Sequence, residues 1–226
     1  MELVLVRHAE PDWEPGGRAV DHPRLTGLGR EQARRTARVL AKESFDGFYV
    51  SPLRRALETA EPIAEALGLE PRVAPWLSEF ELPSLEGRTV EEVQAFFHAA
   101  RVRHLEKWWD GFPGGEAFRH FYQRTSAGIE KLLTEAYRLG VRCEGRHRLW
   151  QIPDPPPRIL VVAHEGTCSV ILSHLLGIEP VPWAWLRFSI TCSGIARLGT
   201  TDVADGAVWV LRSFNQVEHL RGLEAS

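Results

Sequence analysis

Three short stretches carry side chains suited to gripping a multiply charged oxyanion. Arg7-His8 directly follows the aliphatic run Leu3-Val4-Leu5-Val6, Arg54-Arg55 follows Ser51-Pro52-Leu53, and His164-Glu165-Gly166 follows the apolar residues 159–163. Guanidinium forks match the paired oxygens of a phosphate, and an imidazole can attack, carry a proton or donate a hydrogen bond. Each stretch alone has a plain explanation: a salt-bridged rim for Arg7-His8, a solvated helix face for Arg54-Arg55, a hydrogen-bonded structural residue for His164. Their shared position after a short apolar run is what points to one site.

The elements that must hold them follow from hydrophobic patterning. Residues 3–6 and 159–163 are unbroken aliphatic runs, as expected of parallel strands covered on both faces, and residues 45–50 read as a further short strand. Apolar residues at 33, 37, 40 and 41 mark a helix beginning near Thr26, and those at 53, 57, 60, 64 and 67 mark another, with Ser51 and Pro52 in N-cap and N1 order and Gly68 as its stop. Residues 89–102 and 116–139 look helical, and a helix follows Gly166 to about residue 176. Residues 188–198 and 208–212 are expected strands. The alternation predicts an α/β protein, a three-layer α/β/α sandwich around a mainly parallel central sheet. A single domain of residues 1–226 is expected, with room for a helical subdomain inserted around 75–150 and a loop insertion around 140–157, which is basic, Pro-rich and aperiodic. In such sheets ligands bind beyond the carboxyl ends of the strands, where all three stretches fall. The third also opens a helix, whose N-terminus favours an anion.

Composition narrows the classes. The chain has 226 residues, 27 Lys+Arg against 30 Asp+Glu for a formal charge of −3, 44% hydrophobic residues, nine His and eight Trp. This near-neutral balance argues against nucleic-acid binding. No apolar run approaches the roughly 20 residues of a spanning helix, and no signal peptide is expected before the strand at residue 3. Cys143, Cys168 and Cys192 lack metal-ligand spacing, so neither a disulfide framework nor a metal or other cofactor is expected, and the expected location is cytoplasmic. Trp76, Trp108, Trp109, Phe112, Trp183 and Trp185 suit an aromatic wall over a substrate, a subdomain core, or the surface of a homodimer.

These residues also carry a resemblance. Leu5-Val6-Arg7-His8-Ala9-Glu10 resembles the Arg-His-Gly signature of the histidine phosphatase (phosphoglycerate mutase-like) superfamily. Leu25-Thr26-Gly27-Leu28-Gly29-Arg30-Glu31-Gln32-Ala33, the stretch from Ser51 to Ala60, Leu77-Ser78-Glu79 with Glu86-Gly87, Pro113-Gly114-Gly115-Glu116, Val162-Ala163-His164-Glu165-Gly166, and Asn215 with His219-Leu220 follow in the family's order. The similarity spans residues 2–220, apart from 138–158.

The resemblance implies a phosphoglycerate mutase-like fold and a metal-independent phosphomonoesterase acting on a phosphorylated small molecule. It implies that His8 is the nucleophile, that Arg7, Arg55 and His164 bind the phosphate, and that Glu79 is the general acid and base. It adds Glu116 to the substrate-binding set, with Glu86 or Glu116 in reserve for Glu79. Arg54 is expected to be peripheral and His219 structural. A nucleophilic imidazole must be neutral, and the flanking arginines oppose its protonation. Competing readings are a phosphoglycerate mutase-type phosphotransferase, a non-catalytic phosphate-ester or protein-binding module, and a metallohydrolase built on His8 and His164. Several positions depart from the family pattern: Ala9, Glu14, Pro83, Glu165 and Ser169. Carboxylates at 14 and 165 suit a substrate less anionic than phosphoglycerate.

Overall fold

The computed structural model describes residues 1–145 and 147–223. Among these, β1 (Glu2–Arg7), β2 (Gly47–Val50), β3 (Arg72–Val73), β4 (Gly140–Glu144), β5 (His147–Gln151), β6 (Arg158–Ala163), β7 (Ile195–Val203) and β8 (Gly206–Gln216) form one sheet in the order β3-β2-β6-β1-β7-β8-β5-β4. Its centre is parallel: β6 pairs in parallel with both β1 and β2, and β2 with β3. From β7 outward the pairing is antiparallel.

The aliphatic runs have no alternation because both sheet faces are covered. Leu3, Leu5, Ile159 and Val161 face Ile171 and Leu172 of α5 (Glu165–Leu175), with Ile129 of α4 (Phe118–Lys131). Their neighbours Val4, Val6, Leu160 and Val162 face Ala37 and Leu40 of α1 (Gly27–Leu40) and Ala56 and Ile63 of α2 (Arg54–Leu67). Successive strand residues therefore serve opposite layers, which is the expected three-layer sandwich. Each fully buried aliphatic side chain contributes roughly 1.5–3 kcal/mol of transfer free energy.

A third cluster lies apart from the sheet. Phe80, Phe112, Phe118 and Phe121 pack with Ala100 of α3 (Val90–Arg101), and Trp109 and Trp185 pack against them. Trp76 packs instead against the core on the α5 face of the sheet. Much of the aromatic surplus of the middle segment is thus spent as core. No helix among the described residues is long and apolar enough to cross a membrane.

Four local expectations are corrected. Residues 140–144 and 147–151 are not loop: β4 and β5 pair antiparallel at the sheet edge, and edge strands need no continuous apolar run. Ser51 does not cap α2, because Leu53 is the N-cap residue and the helix starts at Arg54. Of the strand expected over 188–198, only the part from Ile195 is extended. The helix expected over 116–139 starts at Phe118 and ends in a π-type turn, Leu132–Ala136. By contrast, α1 starts as predicted, with the Thr26 hydroxyl accepting from the Gly29 amide at 2.9 Å.

Candidate active site

Register places the three chemical stretches side by side. Arg7 is paired with Ala163, and Val50 with Val162. The ladder runs one step further, with the His8 amide donating to Ala163 O (2.8 Å) and the Ser51 amide to Val162 O (3.1 Å). His8, His164 and Ser51 therefore leave three adjacent strands at one level. The two imidazoles lie 5.0 Å apart between centroids, and both are buried.

A hydrogen bond to a carbonyl fixes which nitrogen of His8 carries the proton. His8 Nδ1 lies 2.8 Å from Ala9 O; a carbonyl only accepts, so Nδ1 donates and Nε2 keeps its lone pair in the neutral ring. Ser51 Oγ accepts from the Leu53 amide at 3.3 Å and sits 2.7 Å from His164 Nε2. A serine hydroxyl that donates to Nε2 places the His164 proton on Nδ1, the ring nitrogen with no partner of its own. Burial holds both imidazoles well below the usual histidine range, with Arg55 adding charge repulsion at each. Desolvation thus does more to keep His8 neutral than the arginines credited from sequence.

The depressed values set a sign for stability. The unfolded chain binds protons near pH 6.5 that the folded chain refuses, so stability is complete above that pH and declines as pH falls below it. Each histidine contributes a slope of about 1.4 kcal/mol per pH unit. Denaturant titrations between pH 7 and 5 are expected to show a stability loss that is smaller in His8→Asn, with His164, His174 and His219, whose pKa values burial also lowers, supplying the remainder. An unchanged slope in that variant would contradict the assignment.

Arg55, in the first turn of α2, is buried, and burial lowers its pKa to about 10 despite the nearby Glu79 carboxylate. The Trp13 ring covers its guanidinium at 4.8 Å. Arg54, the next residue back, pairs with Glu58 at 2.7 Å on the exposed side, so it is peripheral as expected. Three buried nitrogens here find no partner among the described residues: the guanidinium donors Arg7 Nε and Arg55 Nε, and the ring nitrogen His164 Nδ1.

Glu79 reaches the same place from the opposite side. Its Oε2 accepts from the Gly166 amide (2.9 Å), and its Oε1 from the amides of Thr167 (3.1 Å) and Phe80 (3.0 Å). His164 is the N-cap of α5, so the carboxylate sits on the first turn of that helix, where its dipole favours negative charge. Gly166 is needed for this approach, since a Cβ there would lie 2.7 Å from Glu79 Oε1.

Glu116 is placed differently from its predicted binding role. It forms a two-pronged ion pair with Arg124, Oε1 to Nε at 2.7 Å and Oε2 to Nη2 at 2.9 Å. Arg124 also donates to the carbonyls of Trp76, Ser78 and Glu79 at 2.9–3.1 Å. Glu116 and Arg124 are thus the clamp that shapes the chain carrying Glu79. Glu86, the other reserve, accepts from the Asp21 amide at 2.9 Å on the surface. Arg124→Met leaves these acceptors without their shared donor; we expect a stability loss of about 2 kcal/mol in chemical denaturation and a severalfold fall in turnover. A variant as stable and active as the parent would show that the clamp does not position Glu79.

Other departures from the family pattern have structural uses. The Ser169 hydroxyl donates to Ala184 O at 2.6 Å and accepts from the Phe188 amide at 3.2 Å, tying residues 184–188 to α5. Pro83 packs against Gly115, whose Cβ would lie 2.5 Å from Glu81 O. His219 contacts the Thr36 hydroxyl and Ser193 O, both at 3.1 Å, a structural position. Thr59 is unassigned by sequence, yet its hydroxyl accepts from the Ala9 amide at 2.9 Å and donates to Arg55 O at 2.6 Å. It joins the segment carrying His8 to the helix carrying Arg55. No group of three or more His, Cys, Asp or Glu side chains among the described residues is placed to hold a metal ion.

Comparison with known proteins places the chain in a family. The family described as "Histidine phosphatase superfamily (branch 1)" matches residues 3–204. The chain is 31% identical to phosphoserine phosphatase 1 of Hydrogenobacter thermophilus over 79% of its own length and 78% of the relative's. It is 30% identical to a glucosyl-3-phosphoglycerate phosphatase of Mycolicibacterium vanbaalenii, over 90% and 86% of the two chains. A mycobacterial glucosyl-3-phosphoglycerate phosphatase solved in complex with inorganic phosphate superposes with a TM-score of 0.71, at 26% identity, over 95% of this chain and 97% of that one.

Proposed function

The chain belongs to branch 1 of the histidine phosphatase superfamily and is a phosphomonoester hydrolase; on that premise we propose that His8 is its nucleophile and Glu79 its proton carrier. The observation that carries this reading is the pairing of a free Nε2 lone pair on His8 with three partnerless buried nitrogens on Arg7, Arg55 and His164, each of which we take as a donor to the phosphoryl group. Buried donors left unpaired are costly, and the oxygens of a bound phosphoryl group would satisfy all three. The mycobacterial relative was solved in complex with inorganic phosphate, the product that this reaction releases.

In the first step His8 Nε2 attacks phosphorus while Glu79 gives its proton to the departing ester oxygen, releasing an alcohol. In the second, Glu79 takes a proton from water, which attacks phosphorus and breaks the N–P bond. His8 and protonated Glu79 are regenerated, and inorganic phosphate is released. The two guanidiniums and His164 Nδ1–H stabilise charge on the equatorial oxygens through both transfers. The His8 proton on Nδ1 stays bonded to Ala9 O throughout, so attack is confined to Nε2.

The chemistry needs no metal, and the substrate is a phosphorylated small molecule. The free thiols of Cys143, Cys168 and Cys192 suit a reducing cytosol. Turnover of an aryl phosphate in excess EDTA tests the reading, with full phosphate release expected. Loss of activity in EDTA and its return with a divalent metal would overturn it, as would transfer of the phosphoryl group to phosphoglycerate in preference to water.

A further inference from the structure

Glu165 occupies the rim of this site and uses both carboxylate oxygens there. Oε2 pairs with Arg7 Nη1 at 2.8 Å, and Oε1 accepts from the Ser189 hydroxyl at 2.7 Å. Arg7 Nη1 also donates to Ile190 O at 2.6 Å. One corner of the planar guanidinium is therefore tied from two sides. The edge formed by Nε and Nη2 is the one that binds an oxyanion with two parallel hydrogen bonds, and on that edge Nε is buried without a partner. The tie at Nη1 decides which edge is left.

We infer that Glu165 is a positioning and specificity residue: it turns the two-donor edge of Arg7 to the phosphate, and its charge selects esters whose remaining part is neutral or cationic. The inference rests on the proposed phosphate role of Arg7. The charge inventory supports the second half. Arg7 and Arg55 are offset by Glu165 and Glu79, Arg54 is engaged with Glu58, and Arg124 with Glu116. A carboxylate on the leaving group would therefore meet the Glu165 charge at the rim. By sequence alone Glu165 is only a repelling group; bonded to Arg7, it is also a brace.

Two variants separate brace from charge. The amide oxygen of Glu165→Gln still accepts from Arg7 Nη1 but carries no charge, whereas Glu165→Ala removes both. Steady-state kinetics would compare phenyl phosphate, 3-phosphoglycerate and phosphocholine, with inorganic phosphate as inhibitor. For Glu165→Ala, KM on phenyl phosphate is expected to rise about five- to tenfold, with Gln restoring it; the rise should be smaller on 3-phosphoglycerate, where loss of the charge offsets loss of the brace, and larger on phosphocholine. For Glu165→Gln, the preference for 3-phosphoglycerate over phenyl phosphate, expressed as the ratio of their kcat/KM values, should rise about three- to tenfold, the range for removing one unit charge near a partly solvated rim. Inorganic phosphate should inhibit this variant more tightly. An unchanged substrate ratio in Glu165→Gln overturns the charge role, and an unchanged KM on phenyl phosphate in Glu165→Ala overturns the brace. Should Glu165→Ala not fold, as judged by circular dichroism, the isosteric Gln variant still decides the charge role. His8→Ala run beside them keeps the two readings apart: turnover surviving in it counts against the phosphatase mechanism, while its loss with inert Glu165 variants counts against this inference alone.

Discussion

Replacing His8 with alanine is expected to lower kcat by at least about 10⁴-fold, the scale seen when a covalent nucleophile is removed. Arg7, Arg55 and His164 remain in that variant and still hold a phosphate ester, so KM should move much less than kcat. The asymmetry follows from the geometry: His8 donates through Nδ1 to Ala9 O and has only Nε2 to offer, and no donor of the pocket depends on it. A fall in kcat/KM that came entirely from KM would mean that His8 binds phosphate rather than attacking it.

Glu79→Gln carries the second large effect. The amide cannot give up a proton, so expulsion of a poor leaving group should slow by about 10²–10⁴-fold. Aryl esters with acidic phenols depart without protonation and should lose far less in the first step. Comparing p-nitrophenyl phosphate with an alkyl phosphate therefore isolates the proton donor from any general damage. The glutamine oxygen can keep the place of Oε1, accepting from the Thr167 and Phe80 amides, while the Gly166 amide loses its acceptor, so a modest stability loss is expected beside the kinetic effect. Equal losses on both esters would assign Glu79 to positioning alone. Rate limitation by the second step, where the same residue activates water, would appear as accumulated phosphoenzyme on the aryl ester.

Much of this architecture is legible in the residues themselves. The unbroken runs at 3–6 and 159–163 have no polar alternation because each strand is covered on both faces, and that feature alone predicts the parallel centre and the edge where His8 and His164 meet. Contact between side chains remote in the chain is what sequence does not show. Arg124 carries no local signal; its importance comes from three carbonyls about 45 residues away and from Glu116. Glu116 itself sits in a recognisable motif that suggests a binding role, whereas its charge is consumed by Arg124. Ser51 reads as a helix cap on residue type, but its hydroxyl is directed to His164 instead. The edge hairpin of β4 and β5 escapes notice because a lightly covered strand pair has no continuous apolar run to report it. Glu165 stands out as an unusual charge, though only the distance to Arg7 turns it from an obstacle into a brace.

A covalent phosphoryl group on one nitrogen of one histidine is the step on which the rest depends. Rapid mixing with a ³²P-labelled aryl phosphate in EDTA, quenched in alkali within milliseconds, should trap label that is stable to base and lost in acid. Peptide mapping should place it on His8. No label should be trapped in His8→Ala, and more should accumulate in Glu79→Gln, where water attack is slowed. Label retained at full level in His8→Ala, or label mapping to another residue, would contradict the account.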